Sequence, residues 1–106
     1  MCGIAGFVNA DRSRPASREL VKRMTDIIAY RGPDDEGHAI HGNVALGHRR
    51  LSILDLSPLG HQPMYSSDNR YAIVFNGEIY NFIELKKDLE AVGATFRSTS
   101  DTEMIL

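Results

Sequence analysis

Cys2 is the single cysteine of the chain and directly follows Met1. A side chain this small permits removal of an initiator methionine, which leaves the thiol and a free α-amino group on the same carbon. An α-amine titrates at about 7.7–8.0, so near neutral pH part of it is unprotonated and can take the thiol proton, directly or through water. A cysteine so placed carries its own base and needs no separate histidine. The plainer alternative is a small apolar residue packed at the start of a strand, the usual situation of an unpaired cysteine.

A thiolate that attacks an amide builds negative charge on oxygen, and preorganised donors must meet it. Asn76-Gly77 offers a side-chain amide and a backbone N–H, although the same dipeptide also makes tight hairpin turns. The following Glu78-Ile79-Tyr80-Asn81 leads into a helical pattern, which sets Asn76-Gly77 at a strand-to-helix junction. A free amino acid substrate would also present a carboxylate and an ammonium, each calling for an opposite charge. Arg49 and Arg50 can answer the first, Arg50 better if it shares a strand face with His48; the alternative is an exposed basic pair at a strand end. Glu78 and Asp101 can answer the second, while Asp101 suits equally the first turn of a helix, where an acid favours the helix dipole.

These residues need elements to position them. Residues 4–8 are short and apolar around Gly6 and read as a buried strand. Ser17 can cap a helix carrying Leu20, Val21, Met24, Ile27 and Ile28 and ending at Tyr30. RGPDDEG, residues 31–37, has the composition of a tight connection. Residues 38–51 alternate around Gly42-Asn43 and predict a hairpin. Residues 57–64 and 66–70 read as loops, and 71–75 as a strand. Asn81 can cap a helix through Phe82, Leu85, Leu89 and Val92, with Gly93 as its stop. Ser100 and Glu103 have capping-box spacing, and Met104-Ile105-Leu106 begins an apolar helical face. So short a helical start buries little, which predicts that the domain continues past Leu106. The order strand, helix, strands, helix indicates a mixed α+β layer.

The bulk numbers exclude several classes of function. A length of 106 residues fits one small domain with a modest core, and 42% hydrophobic with 25% charged residues argues against disorder. Twelve Lys and Arg against fourteen Asp and Glu leave a net charge of −2, with no broad attraction for nucleic acid or an anionic membrane. No apolar run approaches the roughly 20 residues that cross a bilayer, and no charged-then-apolar leader precedes the first strand, so the cytoplasm is the expected compartment. One cysteine makes no internal disulfide. His38, His41, His48 and His61 show no ligand spacing, and no metal site is expected.

Five segments together carry a resemblance: MCGIAGF at the start, RGPDDEG at 31–37, LGHRRLSILDLSPLGHQPM at 46–64, NGEIYNF at 76–82 and STSDTEMIL at 98–106. In this order they resemble the glutaminase domain of asparagine synthetases, which are class II glutamine amidotransferases. The RGPD and HRRLSILD forms are similar to that branch rather than to the transferases that make amino sugars or purine precursors. The resemblance implies an α+β N-terminal-nucleophile hydrolase fold, an αββα sandwich of antiparallel sheets between helical layers, incomplete over these residues. It implies Cys2 as nucleophile, Asn76 and Gly77 as oxyanion hole, and Arg50 on the glutamine α-carboxylate. Asp101 with Glu78 would receive the α-ammonium, and backbone groups of Leu51 and Ile53 would line the pocket. Glutamine would pass through a cysteinyl thioester to glutamate and ammonia, with no cofactor or metal in that half. ATP and magnesium are expected only in a synthetase domain, absent from these residues, that amidates aspartate; a homodimer is left open. The competing expectation is an inactive fragment or homologue that keeps the fold as an association module.

Overall fold

The computed structural model describes residues 1–106. Three antiparallel strands form its main sheet: β1 (Gly3–Val8), β2 (Asp35–His41) and β3 (Val44–Arg50), with β3 in the centre. The register sets Ile4 and Gly37 on either side of His48, and Phe7 and Ile40 on either side of Ala45. Because side chains alternate along a strand, Ala45, Gly47 and Arg49 share one face while Leu46, His48 and Arg50 share the other.

The helix α1 (Arg18–Ile27) covers the first face. Ser17 caps it as expected, its hydroxyl accepting the Leu20 N–H at 3.1 Å. Val21 and Thr25, one turn apart, are fully buried beneath it. Gly47 admits this close approach, since a Cβ there would stand 3.0 Å from Val21 Cγ2. Val21, Ala45 and Ala16 form the apolar centre, with Phe7 and Ile40 packed against it. The β2–β3 turn lies at Gly42-Asn43, as the sequence suggests, with Gly42 at φ +56°. Its tip is tied to the segment after β1 by Asn9 N–H to Asn43 O at 2.9 Å and Asn43 Nδ2 to Asn9 O at 2.7 Å.

The second face carries the chain from Leu51 onward at its Arg50 end. There Gly37 lies so close to the loop that a Cβ would collide with the Gln62 carbonyl. A small antiparallel pair follows, β4 (Met64–Tyr65) with β5 (Ala72–Ile73), and then α2 (Phe82–Ala91). Gly93, at φ +99°, ends α2 with Ala94 N–H bonded to Leu89 O at 3.0 Å and Gly93 N–H to Glu90 O at 3.1 Å. On β1, Ile4 and Val8 remain 50% and 65% exposed on this second face, so the sheet is covered there only in part.

Several local expectations are corrected. RGPDDEG is not all connection: Asp35 begins β2, because Asp35 pairs with Arg50 across the sheet. The first helix stops at Ile27, and Ala29–Arg31 forms a separate 3₁₀ turn. The strand expected over 71–75 is only Ala72–Ile73, since Phe75 turns its N–H to the Gln62 side chain instead of a neighbouring strand. Asn81 adopts φ −99°, ψ 27° and makes no side-chain cap. Ser100 does cap a turn, accepting the Thr102 N–H at 3.2 Å, but the capping box fails. Glu103 instead accepts from Arg97 N–H at 2.9 Å and Ser98 N–H at 2.8 Å, and Asp101–Ile105 is 3₁₀ rather than α-helical.

Truncating Val21 to Ala should destabilise the protein by about 2 kcal/mol in urea titration, whereas Val8→Ala at its exposed position should cost under about 0.5 kcal/mol. Equal effects would mean that the α1 face does not hold the core by itself.

Candidate active site

The strand end at Arg50 opens into a cavity of about 340 Å³, a volume at the small end for ligand sites and suited to a single small molecule. Cys2, Arg50, Leu51, Ile53, Asn76, Gly77, Glu78 and Asp101 all line it. The structure thus brings these eight residues together from four separate stretches of chain, and of the candidates singled out from the sequence it leaves Arg49 outside the cavity.

Cys2 stands one residue before β1, and the β1–β3 pairing carries it to the end of the central strand. Its Sγ accepts the Leu51 N–H at 3.3 Å and lies 3.6 Å from Leu51 O, while Arg31 Nε donates to the Cys2 carbonyl at 3.3 Å. Met1 is 72% exposed at the cavity's edge, so its removal would bare the Cys2 nitrogen there without disturbing the sheet.

The two arginines separate as the strand alternation requires. Arg49 turns to the α1 face, where it pairs with Glu36 and donates to Gly32 O at 3.2 Å. Arg50 turns to the cavity face and is only 6% exposed. Its guanidinium donates to Ser57 O at 3.0 Å, Leu54 O at 3.1 Å and Asp55 O, and Gly60 packs against it with no room for a Cβ. Three of the five guanidinium N–H groups therefore hold the loop, which leaves two for a ligand.

Across the cavity, Asp101 is buried and accepts the Ile79 N–H at 2.9 Å through Oδ2. Its other oxygen makes no hydrogen bond within the protein. Glu78 is exposed and makes none either, so it adds negative charge without a fixed position. Asn76 and Gly77 line the cavity, and the Asn76 side-chain amide and the Gly77 N–H have no protein partners. Asn76-Gly77 joins β5 to α2 rather than two paired strands, which resolves the hairpin alternative.

Sequence reasoning missed Asp55, Gln62, Ser100 and Thr102. Asp55, at φ +50°, accepts Ser57 N–H at 3.0 Å, the Ser57 hydroxyl, and Thr99 N–H at 2.8 Å. It thereby links the loop around Arg50 to the segment before Asp101. The Ser57 hydroxyl, with the Thr99 and Ser57 N–H groups, lowers its pKa from 3.8 to about 2. Glu103 is also held below its ordinary value: burial alone would raise it, and the bonds from Arg97 and Ser98 outweigh burial. His48, fully buried behind the cavity, has its pKa pushed down, chiefly by desolvation. Nothing local in the sequence marks Asp55 or Gln62, because an aspartate or glutamine in a Pro- and Gly-containing loop is the ordinary composition of a loop. No group of three or more His, Cys, Asp or Glu side chains is arranged to hold a metal ion, and no helix is long and apolar enough to cross a membrane.

A family model described as a glutamine amidotransferase domain matches residues 1–106. Over 108 residues the chain is 46% identical to asparagine synthetase [glutamine-hydrolyzing] 1 of Bacillus subtilis (strain 168), covering 100% of this chain and 17% of that protein. It is likewise 46% identical to asparagine synthetase [glutamine-hydrolyzing] 2 of the same organism, covering 100% of this chain and 14% of that protein. A putative asparagine synthetase [glutamine-hydrolyzing] 2 of Methanocaldococcus jannaschii is 40% identical over 124 residues, 100% of this chain and 23% of that protein. The chain thus spans less than a quarter of the length of these curated relatives.

Because the folded Asp55 carboxylate titrates below the ordinary value, its stabilising bonds are complete above pH 3.8 and are lost as pH falls through about 2. The Thr99 amide resonance should accordingly titrate with a midpoint near that lower value and lose the titration in Asp55→Asn. A midpoint at the ordinary 3.8 would show the carboxylate disengaged from Thr99.

Proposed function

The chain belongs to the glutamine amidotransferase domain family, and on that premise we propose that it hydrolyses the side-chain amide of glutamine with Cys2 as nucleophile. What carries this reading is the convergence on one small cavity of a near-terminal thiol, two unpartnered N–H donors, a buried arginine and a buried aspartate.

In this mechanism Met1 is removed and the Cys2 α-amine accepts the thiol proton. Arg50 receives the glutamine α-carboxylate on its two remaining N–H groups, and Asp101, aided by the charge of the exposed Glu78, receives the α-ammonium. Backbone groups of Leu51 and Ile53 line the same side. The thiolate attacks the amide carbon, and the electron pair displaced onto oxygen is met by Asn76 Nδ2 and the Gly77 N–H. Collapse of this intermediate expels ammonia, with its proton supplied by the Cys2 ammonium group, and leaves a thioester. Water then attacks the thioester, the same amine takes its proton, and glutamate leaves as the thiol re-forms.

We propose further that the three-stranded antiparallel sheet, helix-covered on one face and partly exposed on the other, is one layer of an N-terminal-nucleophile hydrolase sandwich. The relatives' names, asparagine synthetase, support a further step for the whole protein: the ammonia amidates aspartate in a domain that uses ATP and magnesium and lies outside these residues.

In Met1-free protein, Cys2→Ala should abolish ammonia release from glutamine, and Asn76→Ala should lower kcat by about a hundredfold or more, measured by coupled ammonia assay. Protein that retains Met1 should be inactive, because its Cys2 nitrogen is an amide. Wild-type turnover in Cys2→Ala would overturn the proposed nucleophile.

A further inference from the structure

Phe75 lies two residues beyond the end of β5, so its backbone N–H and C=O have no strand to pair with and must find partners elsewhere. Two buried side chains from different parts of the fold supply them. Gln62 Oε1 accepts the Phe75 N–H at 2.6 Å, and His48 Nε2 lies 3.3 Å from the Phe75 carbonyl. Gln62 is 6% exposed and His48 fully buried.

We propose that Gln62 and His48 are positioning residues that grip the Phe75 backbone from both sides and thereby aim the Asn76 and Gly77 donors at the developing oxyanion. The proposal rests on the oxyanion reading given above. The orientation of each partner is determined. Gln62 Nε2 donates to Thr102 Oγ1 at 3.3 Å, which turns its amide oxygen to Phe75. His48 must donate through Nε2, since the Phe75 carbonyl only accepts, and burial keeps the ring neutral. His48 Nδ1 is left buried without a partner. An apolar side chain would fill the same space without that unsatisfied nitrogen, so the bond to Phe75 is what the imidazole contributes.

At the far end, Asp101 holds the Ile79 N–H at 2.9 Å. Asn76 and Gly77 thus hang between two fixed points, Phe75 and Ile79, with their own donors free. The Phe75 ring lies directly under Gly77, where a Cβ would come within 2.8 Å of it. Thr102 adjoins Asp101, so the same glutamine also couples the oxyanion wall to the residue that would take the ammonium.

The test uses the intact Met1-free protein with glutamine as substrate and iodoacetamide as a second probe of Cys2. Alkylation displaces iodide from a saturated carbon and builds no oxyanion, so it reports the thiol alone. Gln62→Met and His48→Leu should each lower kcat about tenfold to a hundredfold, with KM within about twofold and the alkylation rate unchanged. His48→Gln, which restores a donor to the Phe75 carbonyl, should recover most of the loss. In the unmodified protein the Phe75 amide should exchange slowly with solvent, and Gln62→Met should release it. Fast exchange of that amide in the wild type would overturn the clamp without any variant. So would wild-type kcat in folded Gln62→Met beside a large loss in Asn76→Ala, or a parallel fall of kcat and alkylation. Unchanged turnover in Asn76→Ala would bring down the oxyanion reading itself, and the clamp with it.

Discussion

A buried guanidinium cannot be left without acceptors, and the way Arg50 meets that requirement shapes everything around it. The alternation of β3 turns Arg50 away from the helix-covered face, and at 6% exposure it has little water to bond. The chain that follows supplies carbonyls from Leu54, Asp55 and Ser57 instead. This wraps the loop around the cation and forces a glycine at position 60, where the guanidinium occupies the space of a side chain. The same wrapping brings the Leu51 backbone onto the Cys2 sulfur. Removal of that charge would release the loop, the floor of the cavity and the seat of the thiol together.

Beyond the main sheet the chain has little regular secondary structure, and side chains take over the satisfaction of its backbone. Gln62 and His48 serve Phe75, Asp101 serves Ile79, Asp55 serves Ser57 and Thr99, and Glu103 serves Arg97 and Ser98. Between Phe75 and Ile79 this leaves the Asn76 and Gly77 donors unoccupied. A site built from ladder hydrogen bonds would have consumed the donors that chemistry on an amide needs. The irregular half of the molecule is therefore the half suited to binding, while the three-stranded sheet and α1 provide the rigid support.

Much of this was legible in the residues. Ser17 announces α1 through its hydroxyl and Gly42-Asn43 marks the hairpin. Of the expected apolar helix face, however, Val21 is fully buried while Leu20 and Ile27 are 45% and 76% exposed, and the buried polar Thr25 takes a place on that face which apolar periodicity does not mark. The His48–Arg50 alternation separates the cavity arginine from Arg49, which turns to the α1 face and pairs with Glu36. Where local reading failed, a longer-range bond had decided the matter. The strand expected over 71–75 is cut short because Phe75 bonds to Gln62. The capping box at Ser100 fails because Glu103 reaches backward to two other amides, and Asp35 joins β2 because Arg50 lies opposite.

By itself the sequence determined which groups could act: a thiol one residue after Met1, an Asn-Gly pair after a strand, an arginine on a defined strand face, and acids downstream. Those are properties of residue type and local period, and they survive in any conformation that keeps the strand. Only the tertiary structure decided that these groups share one cavity, and that Asp55 and Gln62 belong with them. The physical reason is that both act through bonds to backbone amides far along the chain, Thr99 and Phe75, and a backbone amide carries no mark of its partner in the sequence.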